Sequence, residues 1–320
     1  MSLKKSLVSL FDEMFSFAKK DFQLFSYLYT FTFIFCCIGI NYYTGFYRDY
    51  MRPSYFNGTS MWAFPLFYGI MYFAVAIPVQ LIEKNYSLLK NGRFYVKSLF
   101  FIILYGVSIG YFGYYNWEFL TYFSDERLFV IKIISQLKGS IIFIIPVFLL
   151  LKTVDKNIDG LYGLSRSTKH IPAYLILFLM LLPFLIGVSF TSDFQIAYPQ
   201  FHPWSFTGIF GLPTWLYTIS YEITYAIDFI KTELLFRGML VIGMMSIMGK
   251  KAILPMVAMY AAIHFGKPLG ETISSVFGGY ILGALAYQTR HIWGGVIVHI
   301  CIAMSMEIMG FVQYYWLNKL

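Results

Sequence analysis

Long apolar stretches separated by short polar ones set the rhythm of this chain. Runs at 26–43, 61–82, 96–117, 128–151, 172–190, 213–248, 252–265, 271–288 and 292–316 carry few charges, and a membrane span needs about 20 mainly apolar residues. The pattern predicts an all-α, polytopic integral membrane helical bundle with about eight or nine spans. Two runs do not match a single span in length. Residues 213–248 are too many for one crossing at about 1.5 Å per residue, so the part up to Tyr221 is expected to lie at the interface before the chain dips in. Residues 252–265 are too few, and they end at Gly266-Lys267-Pro268, a break that is tolerated at membrane depth only where protein or water covers the backbone. Ahead of the first run, Leu3, Leu7, Leu10, Phe11, Met14, Ala18 and Phe22 recur at helical spacing. Residues 1–22 therefore read as an amphipathic helix lying on the membrane surface.

Composition agrees with this picture and narrows it. Charged residues make up 12% of the chain, against about 25% in a soluble domain. The net charge of +8 does not point to nucleic acid, because Lys and Arg sit between the apolar runs. With the N-terminus inside, the cytoplasmic segments carry Lys84, Lys90, Arg93 and Lys97, then Lys152, Lys156, Arg166 and Lys169, then Lys250, Lys251 and Arg290. The outer segments carry only Arg48, Arg52, Arg127, Lys267 and Lys319, the bias expected of a cytoplasmic N-terminus. A multi-pass protein of a bacterial cell membrane is expected, with lipids as its surroundings. Residues 23–190 read as transmembrane scaffold and residues 191–316 as the part holding buried polar groups; Gly, Pro and Trp cluster near the boundary. Lys132 and Lys138, inside the fourth run, either snorkel or form a bundle-facing polar stripe. Ser275, Gly279 and Gly283 make a small-residue stripe suited to close helix contact. Cys36, Cys37 and Cys301 have no metal or disulfide spacing and read as packing residues.

Candidate chemistry lies in the sixth run and beyond. Glu233 and Arg237 stand four apart, so they share a helix face and can pair. Ionisable groups at hydrocarbon depth are costly and are kept where they serve a function. Asp228 and Lys231, a turn apart, can pair on a neighbouring face. His264 and His299 lie in later runs at depths similar to that of Glu233, within about 10 Å by the helical rise. Glu271 and Glu307 follow them, and Glu307 lies near the face of His299. One carboxylate and two imidazoles, Glu233, His264 and His299, could hold a divalent metal such as Zn. Alternatively, Glu serves as general base on a water that His orients, with His299 donating to the oxyanion. Either route hydrolyses an amide inside the membrane. Transport and a purely structural ion pair are the rival readings of the same residues.

The pattern resembles a known family. Thr232-Glu233-Leu-Leu-Phe-Arg237-Gly238 is similar to the Glu-Glu-x-x-x-Arg motif of the CAAX protease and bacteriocin-processing family of intramembrane peptidases. Tyr260-Ala-Ala-Ile-His264 is similar to its Phe-x-x-x-His motif, and His299-Ile-Cys-Ile-Ala303 to its closing His-x-x-x-Asn. The resemblance spans about residues 213–310. It implies a helical membrane fold with a site in a bundle cavity, and endopeptidase activity on membrane-associated peptide or protein substrates. It also implies that Glu233, His264 and His299 are catalytic or metal-binding, with Arg237, Tyr260 and Thr232 in support. Two positions depart from the motif. Thr232 replaces the first Glu and Ala303 replaces the Asn, so Glu271 or Glu307 would have to supply the missing carboxylate. Failing that, the protein binds peptides without cutting them, as a scaffold or immunity factor.

Overall fold

The computed structural model describes residues 22–123, 126–155, 160–164, 170–206 and 209–317. The amphipathic reading of residues 1–22 lies, Phe22 apart, outside them. Nine principal helices follow one another: α1 (Leu24–Thr44), α2 (Ser60–Ile82), α3 (Gly92–Gly110), α4 (Arg127–Thr153), α5 (Ile171–Val188), α6 (Thr214–Glu233), α7 (Ile253–Ala262), α8 (Leu269–Thr289) and α9 (Trp293–Val312). Among the described residues, eight stretches are long and apolar enough to cross a membrane, α6 and α7 lying in one of them. The packing is that of a bundle in lipid. Leu179, Met180 and Phe184 on α5 face outward, while aromatic and aliphatic side chains of α2, α3 and α7 make one continuous core.

The largest interface is the crossing of α2 and α3, and glycine makes it possible. A Cβ on Gly106 would stand 2.5 Å from the backbone nitrogen of Pro65, and one on Gly110 would stand 2.4 Å from the carbonyl oxygen of Ser60. Gly106→Ala must therefore push two backbones apart, a cost of about 1–3 kcal/mol. A lower thermal-unfolding midpoint in detergent is expected for it and none for Gly39→Ala, whose added methyl meets nothing within 4 Å.

The half-buried lysines of α4 face the bundle. Lys138 Nζ donates to the carbonyls of Ser108 (3.3 Å), Ile109 (3.1 Å) and Tyr111 (2.5 Å), so a cation closes the C-terminal end of α3, where the helix dipole is negative. Lys132 Nζ reaches the carbonyl of Gln200 at 3.4 Å. At the lysine-rich end of the bundle, Glu83 of α2 pairs with Lys251 and accepts from Ser26 of α1. Lys97 pairs there with Asp155 at 2.8 Å.

The stretch from 213 to 268 is where structure and sequence reading part. No interfacial piece is set off near Tyr221; α6 runs unbroken from Thr214 to Glu233. The chain then rewinds into a π-helix over Leu234–Ile242, with the Gly243 N–H bonded to the Gly238 carbonyl at 2.7 Å. It turns at Gly249, where φ is +58°, and returns as α7. All ten residues of α7 are buried, and at about 15 Å the helix covers roughly half of a 30 Å hydrocarbon core. It is a half-span wrapped in protein. The turn after it is covered as well. The carbonyl of His264 accepts from Thr272 Oγ1 (2.5 Å), that of Phe265 from Asn41 Nδ2 (3.0 Å), and that of Lys267 from the Tyr42 hydroxyl (2.5 Å). Irregular backbone at depth has its bonds satisfied, and α1 supplies two of the three donors.

Candidate functional site

The site is built where α6 passes into the π-helix. Every residue from Lys231 to Ile242 is buried, and π geometry inside a helix commonly marks a functional position. The register is fixed in part by Gly238, against which the backbone of residues 160–164 packs: a Cβ there would meet the carbonyl oxygen of Tyr162 at 2.6 Å. Glu233 and Arg237 are completely buried, and Arg237 Nη1 donates to Glu233 Oε1 at 2.8 Å. Asp228 and Lys231 also pair, at 2.6 Å, on the side facing α4.

From Glu233 a chain of contacts runs across three segments. His299 of α9 places Nδ1 2.9 Å from Glu233 Oε1. A carboxylate only accepts, so Nδ1 carries a proton, and in the neutral ring Nε2 then has the lone pair. That lone pair faces the Tyr260 hydroxyl, 3.0 Å away, which donates to it. Tyr260, near the end of α7, also lies under the Arg237 guanidinium, whose carbon is 4.3 Å from the ring centroid. His264 also packs on the phenol, its ring centroid 4.8 Å from that of Tyr260. Its Nδ1–H donates to the Tyr260 carbonyl at 2.8 Å, which leaves Nε2 as a proton acceptor. Arg237, Glu233, His299, Tyr260 and His264 thus form one connected group. Glu233 Oε2 and Arg237 Nε and Nη2 have no hydrogen-bond partner among the described residues, a condition rare enough in native proteins to call for a functional reason.

The remaining positions singled out from sequence fall around this group. Thr232 donates back to the carbonyl of Asp228 at 3.3 Å, so no acid or base stands in that place. Ala303 is buried, one turn beyond His299. Glu271, in the first turn of α8, accepts from the Tyr198 hydroxyl at 2.8 Å. Burial and the neighbouring Glu271 push the Tyr198 phenol well above its usual range, so it stays protonated and donates. Glu307 lies apart from the site: both its oxygens accept from the Gln200 N–H at 2.9 Å, tying a loop to α9. Glu233, His264 and His299 do not come together as a metal cage, and among the described residues no three His, Cys, Asp or Glu side chains do. The reason lies in the donor set. Both nitrogens of His299 are engaged, by Glu233 and by Tyr260, and Nδ1 of His264 is held by the Tyr260 carbonyl.

Some of the residues that position the site carry no chemistry of their own. Glu233 fits only because residue 295 is glycine, since a Cβ there would stand 2.1 Å from Glu233 Oε2. Two adjacent glycines opening an apolar helix, Gly294-Gly295, are the sequence signal for such a close approach. Tyr260 is seated in the same way over Gly279 of α8, whose Cβ would meet its ring at 2.8 Å. Phe229 packs on the His299 ring at 4.8 Å between centroids, and nothing in the sequence distinguishes it from other core aromatics.

Residues 214–305 match the family model described as type II CAAX prenyl endopeptidase Rce1-like. The matched segment holds Glu233, Arg237, Tyr260, His264 and His299 and ends just past Ala303. That model describes CAAX proteases, the group that the sequence motifs resemble. Searches of curated proteins and of solved structures found no match.

Proposed function

We propose that this protein is a membrane-embedded endopeptidase acting on membrane-associated peptides or proteins, with His264 as its general base. The observation that carries the reading is the arrangement of the two imidazoles about Tyr260. His299 is locked between Glu233 and the phenol, whereas His264 is anchored by Nδ1 and keeps Nε2 for a proton. Glu233 has two partners on one oxygen and serves as orienting carboxylate, with Arg237 balancing its charge. In the reaction, His264 Nε2 takes a proton from water as the oxygen attacks the scissile carbonyl. The same proton then passes to the departing amine. Tyr260, whose hydroxyl the family's Phe lacks, turns its donor from His299 to the developing oxyanion and stands in for the Asn replaced by Ala303. No step calls for a metal. The lysine-rich end of the bundle faces the cytoplasm in this reading, and the membrane is a bacterial cell membrane.

Removing one oxyanion donor lowers kcat by about 10²–10³. Tyr260→Phe is expected to show a drop of that order with little change in KM, measured on a lipid-anchored peptide.

A second reading is a relative that captures peptides without cutting them. It is favoured by Thr232, bonded to backbone where the family has a carboxylate, and by the apolar side chain at Ala303. Purified protein in liposomes, mixed with excess lipid-anchored peptide, separates the two. New peptide termini, found by mass spectrometry in amounts exceeding the protein, mean turnover. Intact peptide retained one-to-one means capture.

A further inference from the structure

We propose that a pocket at the end of the bundle opposite the lysine-rich end binds the phosphate of an anionic lipid headgroup. The pocket has a volume of about 530 Å³ and lies between α1, the short helical turns that follow it and the turn after α7. Arg48, Arg52 and Lys267 line it together with Tyr42, Tyr47 and Tyr55, and no carboxylate is among its lining residues. Arg48 is neutralised by its neighbour Asp49, through bonds of 2.7 and 2.8 Å. The Arg52 side chain makes no ion pair or hydrogen bond with the described residues, and the contacts of Lys267 Nζ are the hydroxyl (3.4 Å) and ring of Tyr198. Arg52 therefore faces the pocket without a matching anion inside it, and Lys267 lines it with Nζ held at Tyr198, whose hydroxyl donates to Glu271; an unpaired guanidinium beside a second cation attracts a phosphate.

The surroundings indicate where that phosphate comes from. Tyr43, Tyr50, Phe56 and Trp62 are all strongly exposed around this end of α1 and α2, an aromatic belt of the kind that sits at headgroup level. Phe56 and Phe112 give the pocket an apolar wall for the glycerol end of a lipid. The opposite wall is the turn that follows His264: Phe265 and Gly266 line the pocket, and the Tyr47 ring packs where a Cβ on Gly266 would stand, at 2.5 Å. An occupant would steady this turn beside Asn41 and Tyr42, which line the same pocket.

The test reads binding alone, so its outcome is independent of the peptidase reading. The full chain in detergent is titrated with phosphatidylglycerol or with phosphatidylcholine, and bound lipid is counted by native mass spectrometry. Phosphatidylglycerol is expected to bind at least about 10-fold more tightly, and Arg52→Gln with Lys267→Gln to remove most of that preference, in line with the attraction each cation contributes near a membrane. Lys90→Gln with Arg93→Gln, at the other end of the bundle, should leave it intact. Arg52→Gln alone, at an exposed side chain, should weaken it in part and covers the case in which the double variant does not fold. Equal binding of the two lipids overturns the proposal. So does unchanged phosphatidylglycerol binding in Arg52→Gln and the double variant, and so does thermal protection by inorganic phosphate without any lipid preference.

Discussion

Glu233→Ala is expected to cost about 3–5 kcal/mol of folding stability and to abolish peptide cleavage. The first effect follows from what is left behind. Arg237 is completely buried and donates to Glu233, and its Nε and Nη2 have no partner among the described residues. Without the carboxylate, only the Tyr260 ring at 4.3 Å balances the guanidinium, a contact worth about 2 kcal/mol when desolvated. Breaking a buried pair by removing one partner costs that much because an uncompensated charge remains, and the total stability of a domain is only about 5–15 kcal/mol. The loss should be partly reversed by adding Arg237→Met, which removes the stranded cation. Thermal unfolding of the two variants in detergent checks this. If Glu233→Ala melts with the parent protein, the pair contributes little and the burial argument fails. The second effect follows from His299, which would lose the partner that fixes its tautomer.

His264→Ala is expected to have the opposite profile: a fall in kcat of about 10²–10⁴-fold, the range for a lost general base, with little change in stability. Its side chain is half-buried, and among the described residues its one hydrogen bond is to the Tyr260 carbonyl four residues back. The carbonyl that holds the turn to Thr272 belongs to the backbone and survives the substitution. Steady-state cleavage together with thermal unfolding tells the two variants apart. Loss of activity with intact folding places His264 in the chemistry, whereas a matching loss of both makes it structural.

The spans were legible because lipid and packing both demand apolar side chains, so the run at 26–43 marks α1 (Leu24–Thr44) to within two residues. Where polarity does not change, the sequence is silent. Nothing in Leu234–Ile242 announces a π-helix, whereas the shortness of the run at 252–265 and its end at Gly266-Lys267-Pro268 did set α7 apart from a full crossing. The pairing of Glu233 with Arg237 followed from spacing alone, since four residues close an α-helical turn. Glu307 illustrates the limit of that reasoning. Eight residues return it to the face of His299, but they also carry it about 12 Å along the axis, to the Gln200 loop. Similar depth brought His264 and His299 to one region, yet it could not reveal that both neighbour the Tyr260 ring. The seat for Glu233 at Gly295 was visible only as a pair of glycines, because the absence of a side chain does not say what fills the space.

The most direct measurement is the cleavage rate of a lipid-anchored peptide by the parent protein, His264→Ala, His299→Ala and the variant carrying both changes. Residues that act as one unit are strongly non-additive. The parent should therefore cleave, each single variant should lose about 10²-fold or more, and the double variant should be scarcely slower than the slower single one. Undiminished cleavage in both single variants would contradict a site built from these two histidines around Tyr260.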